Sequence, residues 1–131
     1  RVTIGWGHTG ALSEPTPKVG DIITKEQAQK YLQNDATESA NCVRRFLNEW
    51  KSDDTTKNNH MITQNMFDVL VSLVFNAGCQ GLRKSNFINL VKQRKYKSAA
   101  NILPKDTTMI NGKFSKGLIS RRQRESKLFL K

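Results

Sequence analysis

The chain has 131 residues, enough for one domain and too few for two comfortable ones. Hydrophobic residues make up 37% and charged residues 25%, a globular balance that excludes a disordered chain, and no apolar run reaches the roughly 18 residues of a spanning helix. Residues 1–82 hold 8 basic and 9 acidic groups, whereas residues 83–131 hold 14 and 2, so the whole excess of +11 sits in the C-terminal part. Such a field attracts polyanions: nucleic acid, acidic membrane or an anionic cell wall. No stretch resembles a signal peptide, and the opening residue is Arg1 rather than Met, so residues upstream of it are expected.

Arg1 to His8 alternates and carries β-formers, then glycines, and predicts the end of a strand running into a tight turn. Residues 9–21 hold Gly10, Pro15, Pro17 and Gly20 and predict a loop. Thr24-Lys25-Glu26-Gln27 is a capping box. Ala28, Tyr31, Leu32, Cys42, Val43, Phe46 and Leu47 follow on one helical face, so a long helix runs from Thr24 to about Asn48. Lys51 to His60 is polar and predicts a loop. Thr63 caps a second helix that ends at Ala77, with Gly78 just beyond. Its apolar residues leave almost no polar face, which makes it the centre of the core. Ser85 starts the next helix, and Tyr96 to Leu103 forms another. Pro104 to Lys116 is a loop, and Leu118 to Leu130 a last, strongly basic helix.

Asp35 lies on the apolar face of the long helix, where an unpaired carboxylate is costly. His8, at the end of the glycine turn, is its candidate partner. The pair is either catalytic or an ion pair pinning the β element to the helix. With no Ser or Cys placed as a nucleophile, the structural reading is preferred. Gly5 and Gly7 lack the third glycine and lysine of a phosphate loop and are read as turn positions. Arg121, Arg122, Arg124, Lys127 and Lys131 form a solvated basic face without interleaved aromatic residues for stacking bases. Cys42 and Cys79 have no zinc-site spacing. Two reduced buried thiols are the default reading, and a disulfide between neighbouring helices is the alternative.

The segment Thr3-Ile4-Gly5-Trp6-Gly7-His8-Thr9 resembles the TIGxGHT signature of phage-type lysozymes, the endolysins of glycoside hydrolase family 24. Three further segments agree in order: Gly20 to Ala28, Thr63 to Ser72 with Phe75-Asn76-Ala77-Gly78, and Gly117 to Arg122 with Leu128-Phe129-Leu130. The resemblance spans the chain. It implies an α+β, mostly helical, lysozyme-like fold of two lobes, with a small β element and a long helix between the lobes. On that basis residues 1–131 form a single domain: 1–23 the remnant of the β-containing lobe, 24–50 the connecting helix, 51–131 the helical lobe.

The resemblance also implies hydrolysis of the β-1,4 bond between N-acetylmuramic acid and N-acetylglucosamine in peptidoglycan, without a cofactor or metal. The family's general acid is a Glu upstream of the TIGxGHT strand, and its second acidic group is upstream too. Thr3 is the remaining member of that catalytic set. Phe75, Asn76 and Arg121 are expected in the cleft or at the substrate. Glu14 and Asp21, in the loop after the glycine turn, are weak substitutes for the acid. The expected partner is bacterial peptidoglycan, with no nucleic acid and no membrane span. The chain is expected to be a monomer when its N-terminal segment is present. It would act in the host cytoplasm and then at the periplasm or wall during lysis, and be inactive as residues 1–131 alone. The alternatives are a peptidoglycan-binding homologue that does not cut and a basic helical domain that binds nucleic acid.

Overall fold

The computed structural model describes residues 4, 5, 8, 10, 12–52, 62–106 and 116–131. The capping box closes as its residue types require. The Thr24 N–H donates to Gln27 Oε1 at 2.9 Å, and the Gln27 N–H donates to Thr24 Oγ1 at 3.1 Å. Helix α1 follows at Lys25–Ser52, 28 residues, about 42 Å long. It outruns the predicted end near Asn48 because Trp50, one turn beyond Phe46, is itself buried in the core. Its buried stripe runs through Ala28, Asp35, Ser39, Cys42, Val43, Phe46 and Trp50.

Helix α2 spans Gln64–Ala77, and Thr63 Oγ1 caps it by accepting the Met66 N–H at 3.1 Å. Gly78 ends it at φ 82°, returning its N–H to the Val74 carbonyl at 2.8 Å. Val69, Leu70, Leu73 and Val74 are buried, and α2 packs on α1 and on the last helix. It is the core element that its one-sided lack of polar residues predicted.

A short helix α3, Cys79–Arg83, fills the stretch that the sequence reading passed over between Gly78 and Ser85. Five residues with a glycine among them carry no readable period. Leu82, which is fully buried, holds it down. Helix α4, Asn86–Lys92, begins at Ser85, whose Oγ accepts the Ile88 N–H at 3.1 Å. The buried Asp106 carboxylate accepts a second orphan donor there, the Phe87 N–H, at 3.0 Å. Helix α5 spans Tyr96–Ile102 and passes into a 3₁₀ turn at Leu103–Lys105. The sequence placed the start of a loop at Pro104. A proline fits the first turn of a helix because its missing N–H is not needed there.

Helix α6 spans Lys116–Phe129. Its Phe129 ring meets Phe87 edge-on at 5.4 Å and Tyr96 at 6.2 Å. Arg121, Arg124, Lys127 and Lys131 are exposed as expected. Arg122 departs from that reading: it is 1% exposed and paired with Glu125 on the next turn. The two faces differ by one residue, and the packing of α6 on the neighbouring helices decides which arginine turns inward, with Glu125 as its partner.

At the front of the chain, Ile4 and His8 form an isolated antiparallel bridge, with N–H to carbonyl distances of 2.9 and 3.0 Å. Gly5 sits at φ 62° between them, and a Cβ there would lie 3.1 Å from the Ala28 Cβ. Dihedral and proximity to α1 both require glycine at this position. Gly7 lies outside the described residues.

Cys42 of α1 and Cys79 of α3 are joined in a disulfide with Cα atoms 6.1 Å apart. The default reading of two reduced thiols is therefore corrected. Periodicity placed Cys42 on the core face but could not place Cys79, whose position depends on the unread helix α3. The bond closes a loop of 37 residues, which corresponds to about 4 kcal/mol of chain entropy removed from the unfolded state. Replacing both cysteines, Cys42→Ala with Cys79→Ser, is expected to lower the urea unfolding free energy by about that amount. An unchanged midpoint would contradict the assignment.

Candidate active site

The front segment is fastened to α1 through one carboxylate. Asp35 is 4% exposed and lies two turns before Cys42. Its Oδ2 is 2.8 Å from His8 Nδ1, and its Oδ1 accepts from Ser13 Oγ at 2.6 Å. Ser39, one turn on, donates its hydroxyl to the Asp35 carbonyl at 2.8 Å. His8 is 2% exposed; its Nε2 lies 2.6 Å from the Pro15 carbonyl, and Tyr31 stacks on its ring at 4.6 Å.

This geometry separates the two readings of the pair. Both imidazole nitrogens face oxygens that only accept, so neither nitrogen is available as a general base. The Ser13 hydroxyl bonds the carboxylate rather than the ring, unlike a serine nucleophile. The geometry fits the structural reading of His8 and Asp35, a cluster that ties His8 and Ser13 to α1. Ser13 and Tyr31 belong to the same cluster and were not singled out from sequence. The hydroxyl's only signal is its position two residues before Pro15 in the loop that must cover Asp35.

The predicted groove residues are placed as follows. Phe75 and Asn76 occupy the last turn of α2 and are half-buried. Asn76 donates its amide to the Ser72 carbonyl at 2.7 Å, which fixes the side chain along α2. Arg121 is exposed on α6, which packs against α2. Thr3 lies outside the described residues. Glu14 and Asp21 are exposed, and the Asp21 carboxylate is engaged by the Lys18 N–H at 2.7 Å within its own turn.

A pocket opens farther along α1, lined by Phe46, Glu49, Trp50, Arg83, Asn89 and Lys92. Glu49 lies about 21 Å along the helix from Asp35. Arg83 grips Glu49 through two hydrogen bonds of 3.1 Å and lies 4.6 Å over the Phe46 ring. Those hydrogen bonds hold the Glu49 carboxyl below its ordinary value of 4.5. A carboxylate lowered on folding stabilises at neutral pH, and the contribution is lost as pH falls through the lowered value. The pair is about half exposed, so Glu49→Gln is expected to cost less than about 1 kcal/mol at pH 7. That difference should vanish in urea titrations repeated well below pH 4.5.

A long helix with a pinned glycine turn at one end and a helical core at the other, with these motifs in this order, defines a lysozyme-type glycoside hydrolase. The family model described as phage lysozyme matches residues 1–125, and the chain belongs to that family. It is 35% identical over 132 residues to an endolysin of Acyrthosiphon pisum secondary endosymbiont phage 1, covering 98% of this chain and 80% of that one. It is 30% identical to the endolysin of Salmonella phage P22, covering 98% of this chain and 79% of the relative. The endolysin of Bacillus phage B103 is 34% identical over 128 residues, and there the chain spans 43% of the relative's length.

Removing the imidazole leaves buried Asp35 with the Ser13 hydroxyl as its remaining side-chain partner from the front segment. His8→Ala is expected to cost about 3–5 kcal/mol in urea unfolding. Ser13→Ala should cost about 1 kcal/mol, the worth of one hydrogen bond. A cost for His8→Ala no larger than that for Ser13→Ala would contradict the pinning role.

Proposed function

We propose that this chain forms the substrate groove of a muramidase that cleaves the β-1,4 bond between N-acetylmuramic acid and N-acetylglucosamine of bacterial peptidoglycan. The observation that carries the reading is the phage lysozyme match over residues 1–125. In this reading the groove lies between the glycine turn, held by His8 and Asp35, and the end of α2. Thr3 belongs to the catalytic set, Phe75 and Asn76 contact the glycan, and Arg121 pairs with the general acid. The acid is a glutamate before Thr3, following the family pattern. It protonates the leaving oxygen, a step worth about 10²–10⁴-fold. A second group on the other face of the sugar handles the water or the cation. Glu14 and Asp21 are poor replacements, since both are exposed in the loop and the Lys18 N–H engages the Asp21 carboxylate within its own turn.

The charge arrangement supports an anionic wall as the partner. The only carboxylates within residues 83–131 are Asp106 and Glu125, and both are buried. Among the described residues of that half, Lys84, Arg94, Lys95, Lys97, Lys105, Arg121, Arg124, Lys127 and Lys131 are exposed, whereas neither acid is. No helix among the described residues is long and apolar enough to cross a membrane. The protein is made in the host cytoplasm and reaches the wall from there during lysis.

The test is turbidity loss of chloroform-treated Gram-negative cells. It compares residues 1–131, the product expressed from its natural start codon, and that product with the family-pattern glutamate changed to Gln. The product from the natural start should clear the suspension, and the glutamine version should lose at least about 100-fold. Residues 1–131 alone should clear negligibly. Robust clearing by 1–131 would move the acid inside this sequence, with Glu14 and Asp21 the first to mutate. Wall binding without clearing by any form would favour the homologue that does not cut.

A further inference from the structure

Asp35, Ser39 and Cys42 are buried on one stripe of α1, at 4%, 0% and 1% exposure. Seven residues make almost two full turns, so Asp35 and Cys42 point the same way about 10.5 Å apart along the axis. Asp35 holds the glycine turn through His8. Cys42 holds the first residue of α3 through the disulfide. The front segment and the α2–α3 junction are thus fastened to the same face of the same helix, two turns apart.

The junction residue itself adds no packing, and α3 is otherwise held by buried Leu82 and by Arg83 on Glu49 and Phe46 of α1. Gly78 links α2 to α3 at φ 82° and ψ 160°, with no side-chain cap for α3 and no atom within 4 Å of where its Cβ would stand. Helix α3 is five residues long. Phe75 and Asn76 lie only four and three residues before Cys79. Asn76 is locked to its own helix through Ser72, so its position relative to the glycine turn follows the position of the end of α2.

We infer that the Cys42–Cys79 disulfide is a positioning element of the groove, setting the offset between the end of α2 and the turn pinned by Asp35. The inference rests on the muramidase reading above. Closing the bond converts two thiols to one disulfide; two electrons and two protons pass to an oxidant disulfide, which leaves as two thiols. The groove is therefore set in an oxidising compartment and loose in a reducing one. Glycan strands contacting both walls bind the set form more tightly, because the open form must be ordered on binding.

The test measures the affinity of the folded chain for a soluble peptidoglycan glycan strand in three states: oxidised, reduced with dithiothreitol, and reduced then reoxidised. Far-UV circular dichroism at a temperature below both unfolding transitions confirms that each state is folded. The variant Cys42→Ala with Cys79→Ser is a fourth state, in which dithiothreitol should have no effect. If the variant does not fold, the reduction and reoxidation series stands in its place. The reduced and variant chains should bind at least about fivefold more weakly, with reoxidation restoring the oxidised affinity. A bond serving stability alone would lower the unfolding midpoint and leave affinity per folded molecule unchanged, and that result overturns the positioning role while leaving the muramidase reading intact. Absence of binding in every state overturns both.

Discussion

A carboxylate sits on the apolar face of a helix, and the front of this protein is arranged around it. Asp35 is buried, and a buried charge is tolerated only when paired and hydrogen-bonded. Its two oxygens take His8, which closes the glycine turn, and Ser13 from the loop that follows. Tyr31 and the Pro15 carbonyl complete the surroundings of the imidazole. The described part of the front holds one isolated bridge, and this cluster, the close approach of Gly5 to Ala28 and the packing of Leu12 against the core fix its position. The same stripe of α1 continues to Cys42 and its disulfide, which makes one helix face the common reference for both ends of the proposed groove.

Charge is sorted in the other half by burial. Its two carboxylates are spent inside: Asp106 on the start of α4, Glu125 on Arg122. Each satisfies an internal requirement, an orphan helix N–H in one case and a buried guanidinium in the other. Among the described residues of that half the exposed charges are all cations. A field of this kind speeds arrival at an anionic polymer and weakens steeply with salt. It carries no information about which bond is cut, and the hydrolase reading rests on the family and not on charge.

The sequence made much of this legible. The capping box, the Thr63 cap and Gly78 located the start of α1 and both ends of α2 because those positions need particular side chains or dihedrals. Asp35 on an apolar face announced a buried partner, and the glycine turn supplied His8. What stayed hidden was whatever depends on distance between elements. Helix α3 is too short to show a period, so the approach of Cys79 to Cys42 could not be fixed. Arg121 and Arg122 are adjacent on a helix with apolar residues at both ends, and only tertiary packing chose Arg122 for the interior. The proposed groove joins residues far apart in sequence, Asn76 and Arg121 among them, and no spacing rule in one dimension yields it.

The central claim is that Asp35 holds the front segment onto α1 as a separable unit. Native-state hydrogen exchange of the folded Asp35→Asn variant, resolved by residue, tests it most directly. The amides of Ile4 and His8, which are bonded to each other across the bridge, should exchange on the order of 100-fold faster than in the parent chain, reflecting local opening once the buried hydrogen-bonded pair is lost. The amides of α2 and α4 should keep their protection beyond any change in global stability. Equal acceleration across the chain, or unchanged exchange at Ile4 and His8, would contradict the account.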